Sequence, residues 1–512
     1  MRLRIATLAA VMLGSVLTGA GGTAGAAGAA ANPRVTIRAI DRAGHQVAVT
    51  ASLQAETASG NLIDDTLTSA HATRVLPGTY NIAAWVWEPG DTAATLADRQ
   101  LTVKSNVTVT FDARKGHRVR FTIDDSTVAP AMLEAETFAP GLGLSAFDGT
   151  TGTPPAATYV VPGKLPAGWE IFFWTDLIRP HEYLSPVEYQ FVRVFSRSIP
   201  ANLTFASYRA RLASDDVTVR ALDPGKTGGV GFTPMTPTTF LPAGITGQWA
   251  TPPFSVEFHF TPGYEWQSCA FYEGGPCEIQ QVNNLPVFGA HHYAQTFGSA
   301  VYGPSPQVGA VITGRQLQVG SANGGLLVDP HYTADSTGLP ASSDQTWLYA
   351  GTKLLAHTSG SGYATANISA ATHWYTMRVQ ASRGAGASLA KSVTLYYNFQ
   401  ARAKGVSPDA FWPRIIPSGL SARNAARHGT RTTVPIWFSD LAGNITVHAV
   451  RVWASDNGGK TWKALAVRAV GGRWTVTVTN PAAAGYVSLR VQGTDSSGAT
   501  VAVTAINAYA VS

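Results

Sequence analysis

Short runs of alternating apolar and polar residues recur along this chain, and tight turns close them. That pattern constrains the fold more than any other feature. Arg34-Val35-Thr36-Ile37-Arg38-Ala39-Ile40 is the first such run, and Asp41-Arg42-Ala43-Gly44 is its turn. Successive side chains on a strand point to opposite faces, so each run makes a strand with one buried and one wet face. Residues 47–53 alternate again, and Pro77-Gly78 precedes a strand over 81–87. Two further strands flank Ser105-Asn106, and 119–123 closes the unit. Later runs include 189–195, 217–220, 372–380, 392–399, 445–453, 473–479, 486–492 and 501–509. The fold class expected from this is all-β, built as tandem β-sandwich domains. Composition agrees, because 51 Gly and 30 Pro suit turns, while 13% charged against 45% hydrophobic residues leaves ample apolar surface to bury.

The turns divide the 512 residues into segments. Residues 33–127 read as a first sandwich, and 406–512 as an immunoglobulin- or fibronectin-like sandwich after a Pro-containing linker. The block between them is too long for one simple sandwich. It is expected to hold a β-rich lobe over 128–310 and a second over 311–405, with one short helical turn at 131–138.

The first residues point to export. Met1-Arg2-Leu3-Arg4 is positive, residues 5–17 are apolar, and Ala29-Ala30-Ala31 stands before Asn32-Pro33. This fits a cleaved signal peptide over 1–31, because the apolar core is shorter than the roughly 20 residues a membrane span needs. The expected location is therefore extracellular, with no membrane contact after cleavage. The formal charge of +6 is spread as single Arg and Lys residues without a basic run, so no nucleic-acid partner is expected. The two cysteines, Cys269 and Cys277, bracket a loop with a Gly-Gly-Pro turn, and in an exported chain they read as one disulfide.

Several segments together resemble the non-catalytic C-terminal region of large secreted actinobacterial subtilisin-like proteases. They are Pro77-Gly78-Thr79-Tyr80, Phe111-Asp112-Ala113-Arg114-Lys115, residues 189–200, Phe297-Gly298-Ser299-Ala300-Val301-Tyr302-Gly303-Pro304 and residues 374–399. The tail adds Asn457-Gly458-Gly459-Lys460-Thr461-Trp462, Gly472-Arg473-Trp474, Gly485-Tyr486-Val487-Ser488-Leu489-Arg490 and Gly493-Thr494-Asp495. The resemblance spans roughly 33–512. It implies export and a series of domains: a regulatory-like sandwich similar to transthyretin or the carboxypeptidase regulatory domain, then a middle β block, then an immunoglobulin/fibronectin-like domain. It carries over no catalytic residue.

Two look-alikes of protease motifs lie elsewhere. His428-Gly429-Thr430 mimics a subtilisin general-base motif, and Asp335-Ser336-Thr337-Gly338 mimics the aspartate motif. The nucleophile motif is missing: Gly493-Thr494-Asp495-Ser496 has Asp where serine is needed. No Gly-x-Ser-x-Gly or His-Glu-x-x-His occurs. His259, His291, His292 and Asp329-Pro330-His331 supply metal-ligand types, but adjacent residues on a strand face opposite ways, so no metal or cofactor is expected. Glu265, Glu273 and Glu278 surround the disulfide loop, and a glycosidase would need two carboxylates converging across a cleft.

Tyr264, Trp266, Phe271 and Tyr272, beside Cys269, are the candidate ligand-binding aromatics, for stacking on sugar rings or clamping a peptide. Core packing is the competing reading for these rings, as it is for Trp169, Phe172, Phe173 and Trp174. Ser455 to Trp462 resembles the hairpin motif of sialidases, with Asn457 at its usual aspartate position, and is read as structural. The expected function is a secreted, non-catalytic binding or accessory protein contacting extracellular protein or polysaccharide. The alternatives are a secreted hydrolase, peptidase-related or glycosidase-like, with its site in the middle block, and a partner of a separately encoded secreted protease.

Overall fold

The structure is a computed structural model. It describes residues 32–512 apart from 57–61, 140–143, 147–156, 181, 183, 237–238, 241–245, 273–278, 287–290, 306, 322–324, 332–338, 340, 361 and 441–444. The segment 1–31 and Cys277, Glu273, Glu278 and Asp335 therefore lie outside the described residues. The described chain is all-β, a series of packed sandwiches, with three single-turn 3-10 helices.

The first half is a stack of four sheets. A small sheet is built on Arg34–Ile40, with Val107–Asp112 parallel to it. It packs through Val35, Ile37, Val109 and Phe111 onto Leu53, Ile82 and Val86 of a six-stranded sheet. The opposite face of that sheet offers Ala83, Trp85 and Leu96 to Ile171, Phe173, Tyr189 and Phe191 of a seven-stranded sheet. The far side of the seven-stranded sheet offers Phe172, Trp174, Val217 and Phe258 to Val230, Phe232, Trp266 and Ala270 of a five-stranded sheet.

The middle strands of the two central sheets are thus covered on both faces, and their burial loses its alternation, while Ala213–Val219 and His292–Phe297 at the edge keep it. Glu170–Ile178 is buried over seven consecutive residues, and Gly78–Trp87 likewise. Residues 131–138, expected as a helical turn, lie in strand Ala129–Ala139, which pairs along its length with Glu170–Ile178. Local helix preference in Ala-Met-Leu-Glu-Ala-Glu is weak beside a full ladder of sheet hydrogen bonds and two covered faces.

The second half has a different plan. One nine-stranded sheet includes, in order, Lys353–Ser359, Ser343–Ala350, His373–Ser382, Ser392–Ala401, Thr500–Val511, Gly485–Asp495, Val447–Ser455 and Lys463–Leu465. It is continuous across the 405/406 division drawn from sequence, because Ser392–Ala401 pairs antiparallel with Thr500–Val511. Two small sheets cover its inner face side by side. Leu317, Val319 and Ala364 pack over Leu348, Met377 and Leu395, while Val434, Ile436, Val476 and Val478 pack over Val452, Val491 and Val503. The outer face is open. His373–Ser382 and Ser392–Ala401 show the alternation that one wet face produces.

A polar joint ties the halves together. Asn424 donates from Nδ2 to the carbonyls of Ala221 (3.0 Å) and Gly298 (2.7 Å), and its Oδ1 accepts from Ala300 N (3.0 Å). Arg383 forms a buried ion pair with Asp223, which also accepts from Ser388 N. Arg414 donates to Pro304 O (3.2 Å) and Ser439 Oγ (3.0 Å), while Asp329 accepts from Ser299 N (2.7 Å). Buried charges persist only where partners of this kind are built around them.

Candidate functional site

The aromatic residues beside Cys269 belong to the core. Trp266 is fully buried against Phe260, Phe271 packs on Trp249, and Tyr272 is buried with its hydroxyl donating to Arg220 O (3.3 Å). Tyr264 is half-buried, and its hydroxyl accepts from Val194 N (3.2 Å). They fill the space between two sheets and present no open stacking platform. Cys269 is fully buried on strand Glu265–Tyr272, and its expected partner Cys277 falls outside the described residues.

Among the described residues of the middle block, carboxylates sit inside the sandwich with amide partners. Glu188 accepts from Gln190 Nε2 (2.7 Å) and Gln248 Nε2 (2.5 Å), and burial pushes its carboxyl up. Asp215 accepts from Gln295 Nε2, and burial raises it to about 6. Glu188 and Asp215 both pair across the sheet with Phe258, one on each side of it. A phenyl ring therefore fills the gap in which a substrate would need to lie.

The other face of this sheet assembles a row of chemistry-bearing residues: Tyr189, His259, Ser214 and His292, each opposite the next. Ser214 Oγ lies 3.0 Å from His292 Nδ1, and His292 Nε2 lies 3.5 Å from Asp216 Oδ2. His259 stacks on Tyr189 and sits 3.1 Å from Glu257, with burial holding its imidazole below the usual range. The Ser-His-Asp order invites a comparison with a nucleophilic relay. Acyl transfer also needs donors aimed at the developing oxyanion. Ser214 lies in a strand paired on both sides, and its own N–H donates to His291 O (2.9 Å). The row braces a sheet, and the Ser214 N–H is committed to that pairing.

His331, the fourth histidine of the metal candidates, is in the joint beside Asp329 (3.1 Å). Among the described residues no group of three His, Cys, Asp or Glu is arranged to hold a metal. His428-Gly429-Thr430 is a turn: Gly429 has φ +66°, and Thr430 Oγ1 donates to Arg427 O (2.7 Å). The 455–462 hairpin closes as the sequence implies. Ser455 Oγ accepts from Gly459 N (3.0 Å), and Asn457 Oδ1 accepts from Thr461 N (3.0 Å).

The open face of the nine-stranded sheet gathers residues that sequence reasoning did not single out. His357, Trp347, Arg378 and Tyr396 stand in one cross-strand row. His357 stacks on Trp347 with ring centres 5.0 Å apart and planes within 12°. The Arg378 guanidinium lies 4.3 Å from the Trp347 ring centre and 5.6 Å from that of Tyr396. The row continues through Ala502, Gln492 and Arg451. A neighbouring row carries Gln345, Gln380, Thr394, Thr504, Arg490 and Trp453. Arg490 lies 4.5 Å from the ring centre of Trp462.

Two aromatic–arginine posts thus stand on one flat face, about 14 Å apart by ordinary strand spacing. Ala502, Thr394 and Thr504 floor the space between them. Tyr396 is 42% exposed, and Trp374 nearby is 39% exposed. Cation–π contacts of this kind hold rings and guanidinium upright at a wet surface.

No protein-family model and no curated protein matches the chain. Among solved structures, it is similar to fibronectin(III)-like modules of Clostridium thermocellum CbhA, at 15% identity and TM-score 0.15, over 42% of this chain and 90% of that one. It is also similar to Escherichia coli alpha-2-macroglobulin activated by porcine elastase, at 9% identity and TM-score 0.16. That match covers 91% of this chain and half the length of the other. At those scores the fold rests on the sheets themselves.

Proposed function

We propose that the chain is a secreted, non-catalytic binding or accessory protein that contacts extracellular polysaccharide through the open face of its nine-stranded sheet. One observation carries this reading: Trp347, Arg378, Tyr396 and His357 are held in an ordered ladder at a solvent-facing surface. Aromatic and guanidinium groups held in fixed positions bind with little entropy loss, and the surrounding amides and hydroxyls suit a partner rich in hydroxyl groups. Export rests on the pattern of residues 1–31. The test is depletion of the purified chain from solution by a panel of insoluble extracellular polysaccharides. At least one should remove it, and the double substitution Trp347→Ala/Tyr396→Ala should weaken that removal at least tenfold. Removal that is unchanged by the substitution sinks this face as the contact surface.

A further inference from the structure

We infer that this face selects acidic, carboxylate-bearing polysaccharides over neutral ones, an inference that rests on the proposed binding role and narrows it. Charge complementarity carries it. The outward positions of the sheet carry Arg378, Arg451 and Arg490. Its strands contain two acids, Asp344 and Asp495, and both occupy inward-pointing positions. Asp495 is buried and spends its carboxylate on Ser497 N (2.9 Å) and Ala499 N (2.9 Å).

Among the described residues, no ion pair involves Arg378, Arg451 or Arg490. Three arginines elsewhere do hold carboxylate partners: Arg114 with Asp112, Arg209 with Glu257 and Arg383 with Asp223. Arg378 donates to Gln380 Oε1 (2.7 Å) and Arg490 to Thr504 Oγ1 (3.1 Å), but no outward strand position carries an acid. The three guanidinium groups therefore make a standing positive field, and a planar guanidinium matches a carboxylate in two parallel hydrogen bonds.

The rest of the face argues for a glycan over an acidic peptide. Protein partners are anchored by Trp, Tyr and Arg side chains set in well-packed, desolvated pockets, whereas these posts stand on an open, wet face. Here the ground between the posts is Ala502, Thr394 and Thr504, with Gln345, Gln380, Gln492 and Asn398 around it. Those groups offer donors and acceptors spread over a flat surface, which matches a chain of hydroxyl groups. Trp347, Arg378, Tyr396 and Arg490 lie on strands paired on both sides, and of the ladder only His357 lies on an edge strand, Lys353–Ser359, so a peptide strand added at that edge would bypass the posts. From Trp347 to Arg451 the row crosses about 24 Å, long enough for several sugar units.

Affinity electrophoresis of the full chain through gels containing polygalacturonate, alginate or hyaluronate is the test. Polygalacturonate in its methyl-esterified form is the neutral control on the same backbone. The expected result is retardation by at least one acidic polymer, weakened at least tenfold by Arg378→Ala/Arg490→Ala and by raised salt. Arg378→Lys/Arg490→Lys should recover part of it. Arg74→Ala/Arg114→Ala removes an equal charge from exposed positions of the first sandwich and should change nothing.

Equal retardation by the methyl ester would overturn the selection for acid while leaving the binding role intact. Retardation by none of the polymers, acidic or neutral, would overturn both. Binding of poly-glutamate with no binding of the acidic polysaccharides would overturn the glycan assignment.

Discussion

The seven-stranded and nine-stranded sheets use their polar residues in opposite ways. In the first, a sheet stands over each face of the middle strands, and polar side chains there must be satisfied by neighbours. Glu188 takes Gln190 and Gln248, and Asp215 takes Gln295. In the second, one face is wet. Arg378 stacks between rings, and Arg451 stands exposed, both without a carboxylate partner among the described residues. The difference teaches where a β-sandwich array has chemistry to spare. Polar groups inside a doubly covered sheet are committed to the fold, whereas those on a singly covered sheet are available to a partner.

The largest effect that separates the two sheets is a core truncation. Trp266→Ala removes a fully buried ring between two sheets and should cost about 3–5 kcal/mol in chemical unfolding. Trp347→Ala, on the wet face, should cost about 1 kcal/mol, the worth of its stacking and cation–π contacts. Similar losses at both sites would erase the distinction.

Next comes proton linkage. Asp215 stands at about 6 in the folded chain, raised by burial from 3.8. The unfolded chain therefore gives up this proton first, and the folded state holds more protons between roughly pH 4 and 6. The contribution of this group is full below about pH 4 and is lost as pH rises through 6. It amounts to roughly 3 kcal/mol. Asp215→Asn should flatten the fall in melting temperature across that window. An unchanged slope would mean that the carboxylate is not confined as described.

The smallest effect is Arg451→Ala. It is exposed at the end of the row, so it should alter stability by less than about 0.5 kcal/mol in thermal unfolding. A larger loss would mean that the outer face is committed to the fold after all.

How much was legible in the sequence follows from the same contrast. Arg34–Ile40, His373–Ser382 and Ser392–Ala401 have one wet face, and their alternation announced them. Glu170–Ile178 is buried throughout, and so is most of Glu265–Tyr272. There the apolar run names a strand without saying which sheet covers it. Trp266 and Tyr272 were visible as a cluster, but whether they face solvent depends on the five-stranded sheet closing over its seven-stranded partner, a contact between distant segments. The ladder has a local trace in the sequence. Trp374, Arg378 and Tyr396 occupy the polar phase of strands whose alternation was plain. A large ring on the wet phase of an alternating strand is a signal that needs no tertiary knowledge. Its partners Trp347 and His357 lie on other strands, and only pairing unites them.

The shared nine-stranded sheet also governs when folding can finish. Asn398 pairs with Thr500 and Ser392 with Ile506, across more than a hundred residues of chain. The strand Ser392–Ala401 therefore waits as an unpaired edge until Thr500–Val511 arrives, and an exposed edge is a template for wrong partners. Pairing at that separation is slow, because the intervening loop must close before any contact rewards it. A chain cut at 405 would keep this edge open permanently. Expressed alone, that piece should self-associate, so the two lobes fold as one object.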